Sequence, residues 1–143
     1  MTIAKIIADR DASQIVSCDV ATPVSEVVSI LAGKRIGALP VISGGKVAGI
    51  VSERDIIYRL AEKGSACLDM PVGEIMTSPA MTVESGALID DTLALMTRRR
   101  FRHFPVVDNG NLVAFISIGD LVKSKIDEVE HEAAALRDYI QSA

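Results

Sequence analysis

Two Ser-x-x-Asp motifs hold the residues with the clearest chemical potential. Ser52 and Asp55 close one apolar run and Ser117 and Asp120 close another, each where a strand pattern changes to a helix pattern. The motif commonly caps a helix, because its side chains accept the first free backbone N–H groups. A carboxylate at this turn could also accept both hydroxyls of a ribose, while the helix N-terminus favours a phosphate. The sequence leaves both roles open, and they are compatible.

The densest positive charge lies at Arg98-Arg99-Arg100, followed by Arg102 and His103. The first three arginines suit the solvated C-terminal end of a helix, where cations complement the dipole. Arg102 and His103 instead begin a strand, and arginine is suited to bidentate phosphate contact. In a chain of net charge −4, this cluster favours a phosphate pocket over a nucleic-acid surface.

Other chemistry finds little support in the sequence. Cys18, Cys67, His103 and His131 lack metal-ligand spacing, and no second His completes an HExxH motif after His131. There is no Gly-rich phosphate loop, no G-x-S-x-G and no evident pairing of a nucleophile with a histidine. We therefore expect no catalytic site, no metal site and no enzyme activity.

The elements that position these residues occur twice. Residues 37–42, a turn at 43–46 and residues 47–52 read as a β-hairpin, and residues 102–117 repeat it. Pro40 and Pro105 are 65 positions apart, and the two Ser-x-x-Asp motifs have the same separation. An internal duplication predicts two units packed around a pseudo-twofold axis, with two equivalent clefts between them.

The predicted fold class is α+β, with two β-α-β-β-α repeats. In the first repeat we expect a strand at Gln14–Cys18 and a helix with Thr22 as N-cap and Pro23 as first residue, ending at Gly33 or Gly37. A second helix follows from Glu53 to about Lys63. In the second repeat we expect a strand at Ala80–Val83 and a helix at Leu88–Arg99. A short lead-in helix precedes residue 11. The predicted boundaries are a first domain at 6–63, a linker at 64–75, a second domain at 76–125 and an extension at 126–143. A short helical turn is expected at residues 72–77.

The last helix continues beyond the repeat and carries an apolar stripe with heptad-like spacing: Val122, Ile126, Val129, Ala133, Leu136 and Ile140. Amphipathic helices usually pack on their own domain. Because the repeat is already complete, we favour a homodimer contact for this stripe, hereafter the seam.

Composition limits the class of protein. The 143 residues are 49% hydrophobic without tryptophan, and no apolar run reaches the roughly 18 to 20 residues of a membrane helix. The N-terminus lacks the apolar length of a secretory signal, and two cysteines are too few for a disulfide framework. We expect a cytoplasmic protein. Single-stranded nucleic-acid binding through residues 98–103 is a weaker possibility, since only three Phe and two Tyr could stack on bases.

From about residue 6 to 125, the chain resembles a tandem pair of CBS domains, named for cystathionine β-synthase. The motifs that carry the resemblance are GALPV with GIVSERD at 37–55, and HFPVVD with ISIGD at 103–120. It is similar to the small stand-alone bacterial CBS-pair proteins. The resemblance implies regulatory binding of adenosyl compounds: AMP, ADP, ATP, S-adenosylmethionine or NAD(H).

The resemblance also implies site residues. Asp55 and Asp120 would hold ribose, with Ser52 and Ser117 at ribose or phosphate. Residues of the opposite repeat would complete each site: Met81, Phe101, Arg102 and His103 for Asp55, and Val16, Ile36, Gly37 and Ala38, around the adenine, for Asp120. Arg102 and His103 lie near the middle of the module and could serve phosphates in either site.

The two copies differ where Gly37-Ala38 is replaced by Arg102-His103 and Arg54 by Gly119. The sites should therefore differ in affinity or ligand. The competing hypothesis is a dimerising structural or interaction scaffold with vestigial clefts. In either case we expect a homodimer, and an unknown protein target is possible.

Overall fold

The computed structural model describes residues 1–142 and contains the repeat residue by residue. Strand β2 (Ala38–Ser43) pairs antiparallel with β3 (Lys46–Ser52), and β4 (His103–Asp108) pairs antiparallel with β5 (Asn111–Ser117). Pro40 lies opposite Ile50, and Pro105 lies opposite Phe115 at the equivalent position. Both hairpins also shift register at the same point, after Val41 and after Val106. The mixed α/β architecture and duplication predicted from the sequence are confirmed.

Both hairpin turns use two successive residues with positive φ. Gly44 and Gly45 have φ values of 57° and 78°, and Asn109 and Gly110 have values of 52° and 80°. Such turns match the twist of the flanking strands and favour Gly and Asn at their centre. The sequence of each turn thus sets the register that brings Ser52 and Ser117 to their helix starts.

The helices are α1 (Ile3–Ile7), α2 (Val24–Lys34), α3 (Glu53–Lys63), α4 (Ile89–Arg99) and α5 (Ile118–Ser142). The prediction of Glu53–Lys63 is confirmed, as is the short lead-in helix. The predicted cap of α2 is wrong: the Thr22 hydroxyl accepts from the Asp19 N–H (3.2 Å), and Pro23 occupies the N-cap position. The predicted end is wrong as well, because the chain leaves the helix at Arg35 in the left-handed conformation (φ 54°) rather than at a glycine.

Two strand predictions are also wrong in extent. The expected strand at Gln14–Cys18 is replaced by a 3₁₀ helix at Ala12–Gln14 and by a two-residue strand β1 (Cys18–Asp19), parallel to β2. The Asp11 carboxylate accepts from the Ser13 N–H (2.9 Å) and so stabilises the turn in place of the strand. The strand expected at Ala80–Val83 is a single parallel bridge between Val83 and Val106. A β-branched segment at the edge of a sheet forms a strand only as far as the neighbouring strand can hydrogen-bond with it.

The two copies have separate hydrophobic clusters, each holding a segment from outside its own repeat. Val72 and Ile75, from the predicted linker, are buried in the first cluster, and that segment forms 3₁₀ helices at Gly64–Asp69 and Val72–Glu74. Ile3, from α1, is completely buried in the second cluster. The N-terminus therefore crosses to the second half of the molecule before the first repeat begins.

Helix α5 packs only through its N-terminal part, where Leu121 is fully buried. The five large residues of the seam expose between 42% and 63% of their surface: Val122, Ile126, Val129, Leu136 and Ile140. The interpretation that the seam packs on its own module is therefore wrong. Within residues 1–142, no helix is both long and apolar enough to cross a membrane.

Candidate functional site

Two cavities lie between the copies, and each contains one Ser-x-x-Asp motif. The first, of about 430 Å³, holds Ser52 and Asp55. The second, of about 690 Å³, holds Ser117 and Asp120. Both volumes fall within the roughly 300–1,000 Å³ of ordinary small-molecule sites.

In the first cavity, Asp55 caps α3. The Ser52 N–H donates to Asp55 Oδ2 (2.9 Å), and the Asp55 N–H donates to Ser52 Oγ (3.2 Å). The Ser52 hydroxyl also donates to Oδ2 (3.1 Å), and the Thr77 hydroxyl donates to Oδ1 (3.2 Å). Because a carboxylate offers about four acceptor positions, Asp55 retains room for a further donor such as a ribose hydroxyl. The capping role is confirmed, and a ligand role remains compatible with it.

The helix N-terminus itself offers less to a phosphate than the sequence suggested. The Glu53 N–H donates to the Gly37 carbonyl (2.9 Å), and the Asp55 N–H is held by Ser52. Side chains supply positive charge instead: Arg54, Arg99, Arg100 and Arg102 line the first cavity, against the two carboxylates of Glu53 and Asp55. Positive charge therefore predominates in this wall.

All four residues expected opposite Asp55 line this cavity: Met81, Phe101, Arg102 and His103. The Phe101 ring meets Phe104 edge to face, with centroids 6.1 Å apart. Phe104 is completely buried and holds that ring in place. The combination of an apolar wall and several arginines suits a ligand with a flat apolar part and an anionic part.

In the second cavity, Asp120 repeats the capping geometry and gains an ion pair. The Ser117 N–H donates to Asp120 Oδ2 (2.9 Å), and the Asp120 N–H donates to Ser117 Oγ (3.2 Å). The second carboxylate oxygen, Oδ1, pairs with Arg10 Nη2 at 3.1 Å. Val16, Ile36 and Ala38 line this cavity as expected. Gly37 does not: it lines the first cavity, where an added Cβ would lie 3.6 Å from Glu53 and His103.

His103 lies between the two cavities and forms part of both walls, together with Ala38 and Ser117. Its ring stacks on Phe115, with centroids 5.5 Å apart and planes 10° from parallel. Burial is the main cause that lowers the pKa of His103, and Arg102 lowers it further, against the opposing effect of Asp120 and Glu53. Arg102 lines only the first cavity.

Arg10 and Thr77 are the residues that the sequence motifs did not reveal. Each lies near the N-terminal end of one repeat and contacts the aspartate of the other repeat. Only the duplication pointed to them, since pseudo-twofold packing brings the N-terminal ends of the two repeats to equivalent places. Among the described residues, no three of the His, Cys, Asp and Glu side chains form a group that could hold a metal ion.

Known proteins resemble this chain across both repeats. The sequence profile of the CBS domain matches residues 7–62 and 72–127. A signal-transduction protein with CBS domains from Burkholderia ambifaria has 39% identity and a TM-score of 0.82, over 89% of this chain and 95% of that one. A CBS-domain protein of Agrobacterium tumefaciens has 32% identity and a TM-score of 0.82, over 87% and 99%. The mitochondrial protein CBSX3 of Arabidopsis thaliana is 32% identical over 129 residues, and the match spans 87% of this chain and 63% of that protein.

Two solved structures share the fold at lower identity and contain ligands. CBSX2 was crystallised with AMP (24% identity, TM-score 0.74). The CBS domain pair of MJ0100 was crystallised with 5′-methylthioadenosine and S-adenosyl-L-methionine (22% identity, TM-score 0.76). At this identity the likeness establishes the fold alone. The profile match to both repeats, together with the relatives of 32% and 39% identity, shows that the chain belongs to the CBS-domain family as a tandem CBS pair.

Proposed function

We propose that the protein is a non-catalytic regulatory module that binds adenosine-containing nucleotides in its two cavities. One observation carries the proposal: each cavity combines a Ser-x-x-Asp helix start with apolar residues from the opposite repeat. The carboxylate suits the ribose hydroxyls, and the apolar wall suits an adenine ring. The adenosyl ligands of CBSX2 and MJ0100 support the same ligand class.

The charges of the two walls assign different ligands to the cavities. The first cavity carries four arginines and two carboxylates, and therefore suits the phosphates of ATP, ADP or NAD(H). The second cavity carries Arg10 with Asp9, Asp11 and Asp120. Its negative balance disfavours several phosphates, so we assign to it a ligand with one phosphate at most, such as AMP.

Regulation would follow from closure of the cleft between the repeats. Because the cavity walls come from both copies, a bound nucleotide stabilises the arrangement that brings these walls together. A ligand shifts such an equilibrium only by its differential affinity for the two states. A hundredfold preference is worth about 2.7 kcal/mol, enough to change the surface that a target protein would meet.

The two cysteines favour a cytoplasmic location. Cys18 and Cys67 are buried free thiols, which suit a reducing cytoplasm.

Calorimetric titration of ligand-free protein with AMP, ATP, S-adenosylmethionine and NADH tests the proposal. We expect at least one of them to bind with a dissociation constant well below 1 mM, and GMP serves as a matched control for the base. If none of the four adenosyl compounds binds in this range, the nucleotide-sensor function is refuted and the scaffold hypothesis gains.

We infer that the seam of α5 joins two copies of the chain. Five large apolar side chains that remain exposed on one helix stripe are costly to leave in water, and a second copy can bury them. Their spacing places Ile126, Ala133 and Ile140 at heptad position a, and Val122, Val129 and Leu136 at position d. This exposed seam is the observation that favours a scaffold role alongside ligand binding.

The charges beside the seam favour parallel helices. In a parallel pair, Glu132 faces Arg137 of the second copy, and Lys125 faces Glu130 of the second copy. Lys125 already pairs with Asp90 of its own chain (3.0 Å), so the Glu132–Arg137 pair contributes most of this preference. In the antiparallel pair that aligns the seam, Glu130 faces Glu130 of the second copy and Glu132 faces Glu132 of the second copy, and these like charges repel.

Cysteine cross-linking tests the parallel arrangement, because Cys18 and Cys67 are buried. Under mild oxidation, Val129→Cys should form a disulfide-linked dimer, since position 129 faces itself in a parallel pair. When the Val129→Cys and Ala133→Cys proteins are mixed, parallel helices should give no disulfide between position 129 of one copy and position 133 of the other. Antiparallel helices would form that disulfide preferentially. Leu136→Asp should shift the protein to monomer in light scattering. A wild-type protein that is already monomeric would contradict the inference.

A further inference from the structure

We propose that Arg10 makes the second cavity selective for a phosphate-bearing adenosine over adenosine itself. Its guanidinium pairs with Asp120, the carboxylate assigned to ribose. When ribose takes that carboxylate, Arg10 turns to the phosphate of the same ligand. The inference rests on the proposed function and assigns a ligand class to the second cavity.

The contacts of Arg10 establish its starting position. Nη2 lies 3.1 Å from Asp120 Oδ1, and Nη1 donates to the Phe115 carbonyl at 3.2 Å. The Arg10 N–H donates to the Ile7 carbonyl (3.0 Å), and α1 is anchored by the buried Ile3. The backbone at Arg10 is therefore tied to the second half of the molecule. Its side chain remains partly exposed in the cavity, so it can change partner without moving the chain.

The ion pair competes with ribose for the same atoms. Asp120 Oδ2 already accepts from the Ser117 N–H, and Oδ1 holds Arg10. Two of the about four acceptor positions of the carboxylate remain, and a ribose hydroxyl that donates to Oδ1 shares this oxygen with Arg10 and so weakens the Arg10 contact. An arginine left without an anion in this partly enclosed site loses a charge-assisted hydrogen bond. Adenosine offers no replacement for that bond, whereas the phosphate of AMP does.

The charge of the second wall makes this phosphate contact depend on Arg10. Among the described residues that line the second cavity, Arg10 is the one Lys or Arg, and it lies between Asp9 and Asp11. Without it, a phosphate would face three carboxylates and no arginine. Arginine has five N–H donors, and two of those on Arg10 are in use, so it retains donors for a bidentate phosphate contact.

The first cavity provides an internal comparison. There the equivalent carboxylate, Asp55, is held by the neutral Thr77 hydroxyl at 3.2 Å rather than by a cation. Four arginines line that cavity, so no single one decides whether a phosphate is accepted. The Arg10 mechanism is therefore specific to the second cavity, and a test must read the two cavities separately.

Methyl NMR titration of the full-length protein with AMP and with adenosine provides that reading. Val113 lines the second cavity only, and Met81 lines the first only. In Arg10→Gln, we expect the affinity of the second cavity for AMP to fall about fivefold to tenfold, because a charge-assisted phosphate contact is lost. We expect adenosine to bind about twofold to fivefold more tightly there, because a partly exposed ion pair no longer competes.

Arg98→Gln is the matched control, since it removes the same charge from an exposed position that lines neither cavity. The proposal expects an AMP-to-adenosine ratio reduced about tenfold or more at Val113 in Arg10→Gln alone, with Met81 unchanged. An unchanged ratio at Val113, while AMP still binds, would overturn the role of Arg10 and leave the proposed function intact. If neither ligand shifts Val113 or Met81 in the wild type, both proposals fail.

Discussion

Asp55 combines a structural role that the hydrogen bonds establish with a ligand role that we propose, and two substitutions separate them. Asp55→Ala removes the acceptor of the Ser52 N–H at 2.9 Å and of the Thr77 hydroxyl at 3.2 Å. Asp55→Asn keeps one oxygen for the Ser52 N–H, and its amide can donate to the Thr77 hydroxyl. The cap therefore survives in Asn, while the negative charge is lost in both variants.

The two variants should differ in stability and agree in binding. Loss of an N-terminal cap costs about 0.5–2 kcal/mol, and for a chain of this size each kcal/mol lowers Tm by about 3–4 °C. Asp55→Ala should therefore unfold about 2–8 °C lower than the wild type, and Asp55→Asn should lose less than half of that. A hydrogen bond to a charged group is worth about 1.5–3 kcal/mol, so both variants should bind ATP in the first cavity roughly 10- to 150-fold more weakly.

Calorimetry for ATP and thermal unfolding of ligand-free protein measure the two effects independently. Asp91→Asn is the control, because Asp91 is an exposed carboxylate in the first turn of α4 and lines neither cavity. Unchanged ATP affinity in Asp55→Ala, together with the expected loss of stability, would mean that the Ser-x-x-Asp motif is only a helix cap. Equal loss of stability in Ala and Asn would refute the hydrogen-bond assignment.

Three further predictions concern packing and ionisation. Gly49→Ala should destabilise the protein by about 1–3 kcal/mol in a denaturation assay, since the added Cβ would lie 2.6 Å from the Thr77 carbonyl oxygen and 2.8 Å from the Met76 sulfur. Gly33→Ala is the comparison: because the space around Gly33 is open, it should stabilise the protein by about 0.5–1 kcal/mol in the same assay. Because the fold lowers the pKa of His103, protonation favours the unfolded state, so stability should fall as pH drops below about 6.5. That loss should be smaller in His103→Gln by thermal unfolding, and an identical pH profile would contradict the assignment. Burial raises the pKa of the Cys18 thiol to about 11, and only the thiolate reacts with iodoacetamide. At pH 8, mass spectrometry should therefore show slow modification of Cys18 until denaturant is added. Rapid labelling of Cys18 in the folded protein would contradict the raised pKa.

Ligand binding in the two cavities should depend differently on salt concentration. The first cavity is walled by arginines from α3 and from the end of α4, so a rise in salt should weaken ATP binding there more than AMP binding in the second cavity. The single basic contact at Arg10 leaves less charge to screen. The broken symmetry at Arg102 and His103, visible in the sequence, thus has a physical counterpart in the unequal charge of the two walls.

Local patterns predicted the parts of the fold that depend on neighbours in the chain. The hairpin turns and the start of α3 at Ser52 follow from residues close in sequence, because turns and caps are satisfied within a few residues. The duplication follows from the recurrence of the same local pattern 65 positions later. The edge strands were predicted poorly. Whether residues 14–18 and 80–83 form strands depends on how much of β2 and β4 is available to pair with them, and that is a tertiary property.

By itself, the sequence determined the repeat, the hairpin register and the two Ser-x-x-Asp turns, because the same local interactions form wherever those residues occur. Only the tertiary structure decided what meets each aspartate. The N-terminal end of each repeat meets the other half, where Arg10 contacts Asp120 and Thr77 contacts Asp55. The tertiary structure also placed Gly37 in the first cavity and left the seam of α5 exposed. These outcomes depend on contacts between residues far apart in the chain, which local spacing does not encode.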